Sequence, residues 1–313
     1  MTTEAIAAAH SARLATIDAL LPESPAPEPD SAAGEWLTAT AGESAAAGFA
    51  TRTQITGDSP VALWRTLVEH RLDVQLCGTE PEEAFGAVLT QWDEHLRMRA
   101  TPGDLEAAAV VARPSRDSAG AAELLRHGFA PVLVIAARPA DRLGAGPPTT
   151  PGVCIRPAEP GDLPTVVHLQ WELQRYDAQF GTVTLRDNAE QLITTEQSAL
   201  LARDEPRMWI AELYGQPLGL IHVQLPGETG WISDRVAAGR VGYLSSLAVA
   251  EAARSTGVGT ALTAHAHQVF DEAGADVVLL HHALANPRST PFWYAQGYRP
   301  LWTYWQRRPA VRR

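Results

Sequence analysis

The chain of 313 residues is long enough for two domains of ordinary size, each with its own core. Its formal net charge of −11 disfavours nucleic acid and anionic membranes as partners. All 25 basic residues are arginine, which excludes a Walker-type phosphate loop and a lysine Schiff base to pyridoxal phosphate.

Neither the cysteines nor the apolar segments indicate a disulfide framework, a metal site or a membrane span. Cys77 and Cys154 are far apart and belong to no disulfide or metal-binding pattern, so we expect no metal site. No basic-then-apolar leader opens the sequence, and no apolar run approaches the length that spans a membrane. We therefore expect a cytoplasmic protein that acts neither on membranes nor on nucleic acid.

Two stretches rich in proline or glycine divide the chain. Residues 1–34 combine an alanine-rich helix, expected over residues 2–21, with the proline-rich run PESPAPEPD. Residues 141–152 are rich in glycine and proline, and we expect them to link two domains. These domains are predicted to comprise residues 35–140 and residues 153–313.

In the second half, strands and helices are predicted to alternate. A strand from Val153 is followed by an amphipathic helix that contains Glu172, and a hairpin is expected around Gly215. The strand GYLSSLAVA then leads through a glycine-containing loop into a helix. After these come the strand ADVVLLHHAL, the short helix PFWYAQG and a final aromatic strand.

The loop EAARSTGVGTAL, between that strand and that helix, is predicted to bind an anion. The first N–H groups of a helix lack intrahelical partners, and Gly257 and Gly259 allow the backbone to come close to a ligand. Arg254 adds a positive charge at the same place, in a chain that is acidic overall.

Two motifs resemble those of the GNAT superfamily of acyl-CoA N-acyltransferases. Arg254, Gly257 and Gly259 match the family pattern Arg/Gln-x-x-Gly-x-Gly/Ala. A second block has the family's spacing of small, apolar and aromatic residues: Asn286, Ser289, Phe292, Gly297 and Tyr298. Both motifs stand in the family's order, and the resemblance extends over roughly residues 153 to 308.

The first half resembles a degenerate repeat of the second half. Gly128 and Gly297 are each followed by an aromatic residue, and Asp117 and Asn286 stand eleven residues before them. No Arg-x-x-Gly-x-Gly motif follows Leu76, at the position where an intact repeat would carry it. We therefore predict an α/β protein with two GNAT-like mixed α/β domains in tandem, the N-terminal one degenerate. The alternative is an unrelated α/β domain.

The resemblance implies that the anion is the pyrophosphate of coenzyme A. Backbone N–H groups and one guanidinium would hold it, contributed by Arg254, Ser255, Thr256, Gly257, Val258, Gly259 and Thr260. Free backbone groups of Leu247, Ala248 and Val249 would pair with the pantetheine arm and polarise the thioester carbonyl. Asn286 and Ser289 of the second block complete the predicted site for the donor.

The catalytic groups are less evident, because the chain departs from the family pattern. Where many relatives carry a tyrosine as general acid, this sequence has Trp293, so Tyr294 becomes the candidate. The alternatives are a packing role for Tyr294 and departure of the thiolate without a side-chain acid. Candidates for the general base are Glu172, His281, His282 and His222, against a purely structural role for the histidines.

These residues imply an acetyl-CoA-dependent N-acetyltransferase. We expect direct transfer from the coenzyme A thioester to a small-molecule amine, without an acyl-enzyme and without a metal. Alternatives are a thiol-sugar acceptor, a peptide or protein amine, and a non-catalytic sensor that binds acyl-CoA. Because two similar halves in one chain imitate a dimer, we expect a monomer or a weak dimer.

Overall fold

The computed structural model describes residues 2–24, 34–140 and 150–313. The α-helices in these ranges are α1 (Thr3–Ile17), α2 (Glu82–Arg99), α3 (Ala121–Arg126), α4 (Leu163–Asp177), α5 (Ala189–Leu201), α6 (Val258–Glu272) and α7 (Ser289–Ala295). The strands are β1 (Gly34–Ala41), β2 (Ser44–Gln54), β3 (Val68–Cys77), β4 (Ala107–Pro114), β5 (Ala130–Pro139), β6 (Val153–Pro157), β7 (Met208–Leu213), β8 (Gln216–Gln224), β9 (Val241–Val249), β10 (Val277–Ala283) and β11 (Arg299–Arg307).

All the strands belong to one mixed sheet. Its order is β1-β2-β3-β4-β11-β5-β10-β9-β8-β7-β6. Most neighbours are antiparallel, whereas β3 with β4 and β9 with β10 are parallel pairs. Apolar side chains pack on both faces: α2 covers one face of the first half, and α6 covers one face of the second.

The two halves repeat the same order of elements. The segment β1-β2-β3-α2-β4-α3-β5 corresponds to β7-β8-β9-α6-β10-α7-β11, and the sheet order runs outward symmetrically from the boundary between β11 and β5. The helices α1 and α4 also correspond, since each has 15 residues and each begins its half's repeat. The predicted tandem α/β architecture is confirmed.

The last strand of each half is inserted into the other half's sheet. β11 pairs with β4 from Trp302–Pro114 to Arg307–Ala109, and β5 pairs with β10 from Val277–Pro139 to Ala283–Leu133. The two halves therefore form one continuous sheet. The domain limits at residues 35, 141 and 153 remain our proposal for the ends of the repeat, and they do not divide the sheet.

Some predicted features lie outside the described residues. Most of the predicted linker, and most of the proline-rich run after α1, belong to the ranges that are not described. In the described ranges, no helix has the length and apolar character needed to cross a membrane.

Candidate active site

The junction between β9 and α6 has the backbone of an anion-binding loop. β9 ends at Val249, Ser255 adopts a φ of 64°, and Gly257 adopts a φ of 92° immediately before the helix begins. A positive φ at a serine is costly for the backbone and is common where a loop has a functional shape. The first turn of α6 contains no acidic residue, so its N–H groups and helix dipole favour an anion.

Arg254 lies at the edge of this loop. Its Nε donates to the carbonyl oxygen of Val249 at 3.2 Å, and its Nη1 is 3.8 Å from Glu251 Oε1. Its guanidinium carbon is 5.4 Å from the centre of the Tyr176 ring, and that of Arg288 is 5.1 Å from the same ring. Tyr176 therefore brings two arginines together, and Arg288 is a cation that sequence reasoning missed.

A gap separates the ends of the parallel strands β9 and β10. Their pairing runs only from Val241–Val277 to Tyr243–Leu279, although both strands continue beyond it. On its other side β9 stays paired with β8, with an irregularity beside Ser245. The backbone from Leu247 to Val249 therefore borders the gap, with one edge not paired to β10.

Asn286 connects the far side of the gap to α4. Its Oδ1 accepts hydrogen bonds from the backbone N–H groups of Arg288 at 3.0 Å and Ser289 at 2.9 Å, which fixes the start of α7. Its Nδ2 donates to Asp177 Oδ1 at 3.2 Å. Burial raises the pKa of Asp177 to about 6, although the bond from Asn286 opposes that shift. Sequence reasoning missed Asp177, because only the fold brings it near Asn286.

The two adjacent histidines of β10 face opposite sides of the sheet, as their strand positions predict. His281 Nδ1 lies 2.9 Å from the Tyr243 hydroxyl, and the Trp231 ring is stacked at 6.2 Å. Burial, together with smaller contributions from His282 and Arg235, lowers the pKa of His281 to about 4. The imidazole is therefore neutral at neutral pH.

His282 faces α7 instead. Its Nδ1 is 3.2 Å from Thr290 Oγ1, and its ring meets the Tyr294 ring edge to face at 5.5 Å. Its Nε2 is buried and has no partner in the described part of the chain. Burial lowers the pKa of His282, so this imidazole is also neutral at neutral pH.

The aromatic pair on α7 is divided between core and surface. Trp293 is 7% exposed and packs in the core, while Tyr294 is 37% exposed. Trp293 lines the main cavity, and Tyr294 lies outside that lining, beside His282. Burial raises the pKa of Tyr294, which is therefore protonated at neutral pH.

A cavity of about 1210 Å³ joins these features. It extends from Gly257 and Thr260, past the gap between β9 and β10, to Glu172 on α4 and His222 on β8. Glu172 Oε2 is buried and has no hydrogen-bond partner among the described residues. The first half supplies part of the wall, namely Val61, Leu63, Trp64, Arg65, Glu69, Arg71, Val110, Val132 and Leu133.

Nothing in the described ranges groups three or more His, Cys, Asp or Glu side chains in a way that could hold a metal ion. The cavity combines a helix N-terminus, unpaired strand backbone and neutral histidines. A helix N-terminus is suited to an anion, and a neutral imidazole can accept a proton.

Residues 166–298 match the sequence model of the Acetyltransferase (GNAT) family. The structure is similar to a GCN5-related N-acetyltransferase from Sphaerobacter thermophilus, with a TM-score of 0.54 and 17% identity over 87% of this chain and 82% of that chain. No curated protein matches the sequence significantly.

Two further solved structures are similar at lower scores. One is a tandem GNAT protein from the clavulanic acid biosynthesis pathway, with a TM-score of 0.46 and 15% identity over 88% of this chain and 84% of that chain. The other is an aminoglycoside N-acetyltransferase in complex with CoA, with a TM-score of 0.39 and 17% identity over 48% of this chain and 89% of that chain.

The family match and the fold agree with the geometry of the site. The second half of the chain carries a GNAT acetyltransferase domain, and the protein is an acyltransferase. Proteins of this family generally bind acetyl-CoA.

Proposed function

We propose that this protein transfers the acetyl group of acetyl-CoA directly to the amine of a small molecule. The observation that carries the proposal is the single cavity that joins the N-terminus of α6, through the gap between β9 and β10, to the face of the sheet that carries α4 and α5. A donor can enter along one side of this gap and an acceptor along the other, as a ternary complex requires.

The loop before α6 is our proposed site for the pyrophosphate. Backbone N–H groups from Ser255 to Thr260, including those of Thr256, Val258 and Gly259, would hold its oxygens, with the helix dipole adding to the attraction. Arg254 would supply a formal charge, since its contact with Glu251 at 3.8 Å is long and leaves it able to bind phosphate. A Cβ at Gly257 would come within 2.9 Å of Thr150 Cγ2, which shows how little room the loop has.

The pantetheine arm would pair with the free edge of β9. Leu247, Ala248 and Val249 provide the backbone there, and Asn286 and Ser289 lie across the gap. A backbone N–H that donates to the thioester oxygen stabilises it most strongly when negative charge develops on that oxygen during the attack. The strand itself thus supplies carbonyl polarisation without a side chain.

Proton transfer is assigned to the polar groups around the gap. Glu172 and His281 line the cavity and are proposed to accept the proton of the attacking amine, with His282 as the alternative from the other face. The low pKa of His281 keeps it neutral and able to accept a proton, although its protonated form is costly. Tyr294 is proposed to protonate the departing thiolate, and because it lies outside the cavity lining, beside His282, this role requires its side chain to turn toward the gap.

A small acceptor is favoured over a protein because the first half closes one side of the cavity. Trp64 and Arg71 of that half face the same space as Glu172. The same closed shape favours a monomer as the active unit, since both halves of the wall come from one chain. A peptide or protein amine and a non-catalytic sensor remain the competing functions.

The test is release of free thiol from acetyl-CoA in the presence of a panel of small amines. We expect amine-stimulated release, with steady-state kinetics of a ternary complex. Binding of acetyl-CoA without stimulated release by any amine would favour the sensor. Stimulation by peptides alone would favour the protein acetyltransferase.

A further inference from the structure

The loop before α5 joins the second half of the chain to the first half beside the cavity. Arg186 of this loop donates from Nη1 and Nη2 to the carboxylate of Glu106, at 3.2 Å and 2.9 Å. Its Nε donates to the carbonyl oxygen of Ala62 at 2.8 Å, and its Nη2 lies 3.4 Å from that of Arg65. One guanidinium therefore contacts both the short helical turn Pro60–Leu63 and the start of β4.

The pair of Arg186 with Glu106 has the geometry of a strong and directional contact. The side chain of Arg186 is 11% exposed and that of Glu106 is 37% exposed. Although burial acts to raise the pKa of Glu106, the hydrogen bonds from Arg186 hold it below its ordinary value, so the carboxylate is charged at neutral pH. A planar guanidinium that donates two N–H groups to one carboxylate fixes the direction of the contact as well as its length.

Two other side chains form hydrogen bonds across the same junction. Asn188 Nδ2 donates to the carbonyl oxygen of Gly57 at 3.0 Å. Arg308, which follows β11, donates to Thr184 Oγ1 at 3.1 Å and to the carbonyl oxygen of Leu105 at 2.6 Å. The loop before α5 is therefore held by several contacts, of which the ion pair is the strongest.

The segments that Arg186 joins form two facing walls of the cavity. Leu63 and Ile193 belong to one apolar cluster, which keeps the two sides together but does not fix their direction. Arg186 itself lies outside the cavity lining. The lining residues on the two sides of the junction, which we name the acceptor walls, are Val61, Leu63, Trp64, Thr182, Val183 and Ile193.

We propose that Arg186 is a positioning residue that sets the distance between the acceptor walls, through its bonds to Glu106 and to the turn Pro60–Leu63. The first half then selects the acceptor by its width, although it supplies no reacting group. The inference rests on the proposed function, because it concerns the small acceptor of that reaction.

The experiment measures thiol release from acetyl-CoA with primary amines of increasing width, from n-butylamine to adamantylmethylamine. A displacement of about 1 Å in the groups that position a substrate can cost about 10²-fold in rate. We therefore expect Arg186→Ala to lower kcat/KM by roughly tenfold to a hundredfold for the slimmest amine that the wild type acetylates, mainly through KM. The widest amine should lose less or gain. Losses that are equal for both amines, or larger for the wide one, would overturn the proposal.

Further variants assign this change in selectivity to the junction. Glu106→Ala should shift the ratio of the two amines in the same direction, and the double variant should resemble Arg186→Ala, because both changes remove one contact. Arg156→Ala is the matched control: Arg156 binds Asp162 through two N–H groups, at 2.7 Å and 2.8 Å, and both residues lie outside the cavity lining. An equal change of the ratio in Arg156→Ala would contradict the proposal.

Hydrogen exchange separates this inference from the function on which it rests. If no amine stimulates thiol release by the wild type, the proposed function fails, and the exchange of backbone amides decides whether Arg186 holds the acceptor walls. In Arg186→Ala, peptides from residues 57–67 and 182–193 should exchange faster, whereas α6 should keep its rate. Unchanged exchange at the junction, or an equal increase throughout the chain, would refute the positioning role.

Discussion

The two halves share one order of elements but differ where a helix follows the central strand. In the second half, α6 follows Gly257 and has no acidic residue in its first turn. In the first half, α2 follows Pro81, and its first turn carries Glu82 and Glu83. Two carboxylates at a helix N-terminus interact favourably with the positive end of the helix dipole, and their negative charge repels a further anion. The same backbone order therefore favours a phosphate in one half and disfavours it in the other.

The gaps between the parallel strands differ as well. β3 and β4 stop pairing after Leu72–Val111, as β9 and β10 do after Tyr243–Leu279. Beyond that point, His10 of α1 places its Nδ1 3.2 Å from both the backbone N and O of Leu76. A side chain thus uses the strand backbone whose counterpart in the second half is not paired to β10.

An ion-pair network links α1 to the end of β4 in the first half. Arg113 of β4 and Arg13 of α1 both bind Asp117, each at 2.6 Å. Although burial acts to raise the pKa of Asp117, Arg113 and Arg13 hold it below its ordinary value. We infer that the first half has filled its donor site with its own side chains, and that its role is to form a wall of the acceptor cavity.

The largest predicted effect concerns the acid on α7. The repeat places Leu125 of the first half where the second half has Tyr294, so only the second half has a hydroxyl group at this position. We expect Tyr294→Phe to lower kcat by roughly 10²–10⁴-fold with little change in the KM for acetyl-CoA, because the contact exists mainly in the transition state. Steady-state kinetics measure both constants.

Trp293→Phe is the control for that variant. It alters the neighbouring ring in the core and should leave the pH dependence of kcat unchanged. If Tyr294→Phe keeps more than about a third of wild-type kcat, no general acid acts from α7 and the thiolate takes its proton from water.

A smaller effect is expected from the arginine at the α6 loop. Arg254→Ala should weaken coenzyme A binding by roughly tenfold to a hundredfold, the value of a charge-assisted contact to phosphate. Pantetheine analogues without phosphate should bind nearly as before, because they lack the group that Arg254 holds. Calorimetry with both ligands compares the losses, and an equal loss for both would show that Arg254 acts on the fold.

The smallest predicted effect concerns two carboxylates, Asp177 and Asp117, whose pKa values are shifted in opposite directions. Asp177 has a hydrogen bond from Asn286 but no ion pair in the described ranges, and burial raises its pKa to about 6. Unfolding restores the ordinary, lower pKa, so the charged carboxylate destabilises the fold increasingly as the pH rises from about 4 to 6. Asp177→Asn removes this cost and keeps an oxygen for Asn286.

The free energy of unfolding tests this reasoning. Asp177→Asn should gain about 1–3 kcal/mol over the wild type at pH 7.5 and almost nothing at pH 4, by urea denaturation. Asp117→Asn is the matched comparison, and it should lose stability at pH 7.5 because two arginines then lack their partner. An equal difference from the wild type at both pH values for Asp177→Asn would contradict the assigned pKa shift.

Local chain geometry explains why part of the site was predictable. A loop with two glycines before a helix, and an asparagine shortly before the next helix, specify their own backbone, so the turns at Gly257 and Asn286 could be predicted from the sequence. The repeat was visible for the same reason, in the glycine–aromatic pairs at Gly128 and Gly297.

Other features depend on contacts between distant segments. The hairpin of β1 and β2 was not predicted, because an alanine-rich run has low strand propensity, and here Ala45, Ala46 and Ala47 are fixed by complete burial. The exchange of β5 and β11 has no sequence signal, since strand order depends on pairing. The contact of Asp177 with Asn286 likewise arises only when α4 packs over the sheet.

The most direct test of the account is the number of coenzyme A sites per chain, measured by calorimetry on the wild type and on variants of the α6 loop. We expect one site per wild-type chain and none in Gly257→Glu, which fills the loop with a negative charge. Thr260→Glu should also lose binding, although a glutamate in the first turn stabilises the helix. Thr79→Glu, in the corresponding loop of the first half, should keep the one site. Two sites in the wild type, or one remaining in both α6 variants, would contradict the claim that only the second half binds the donor.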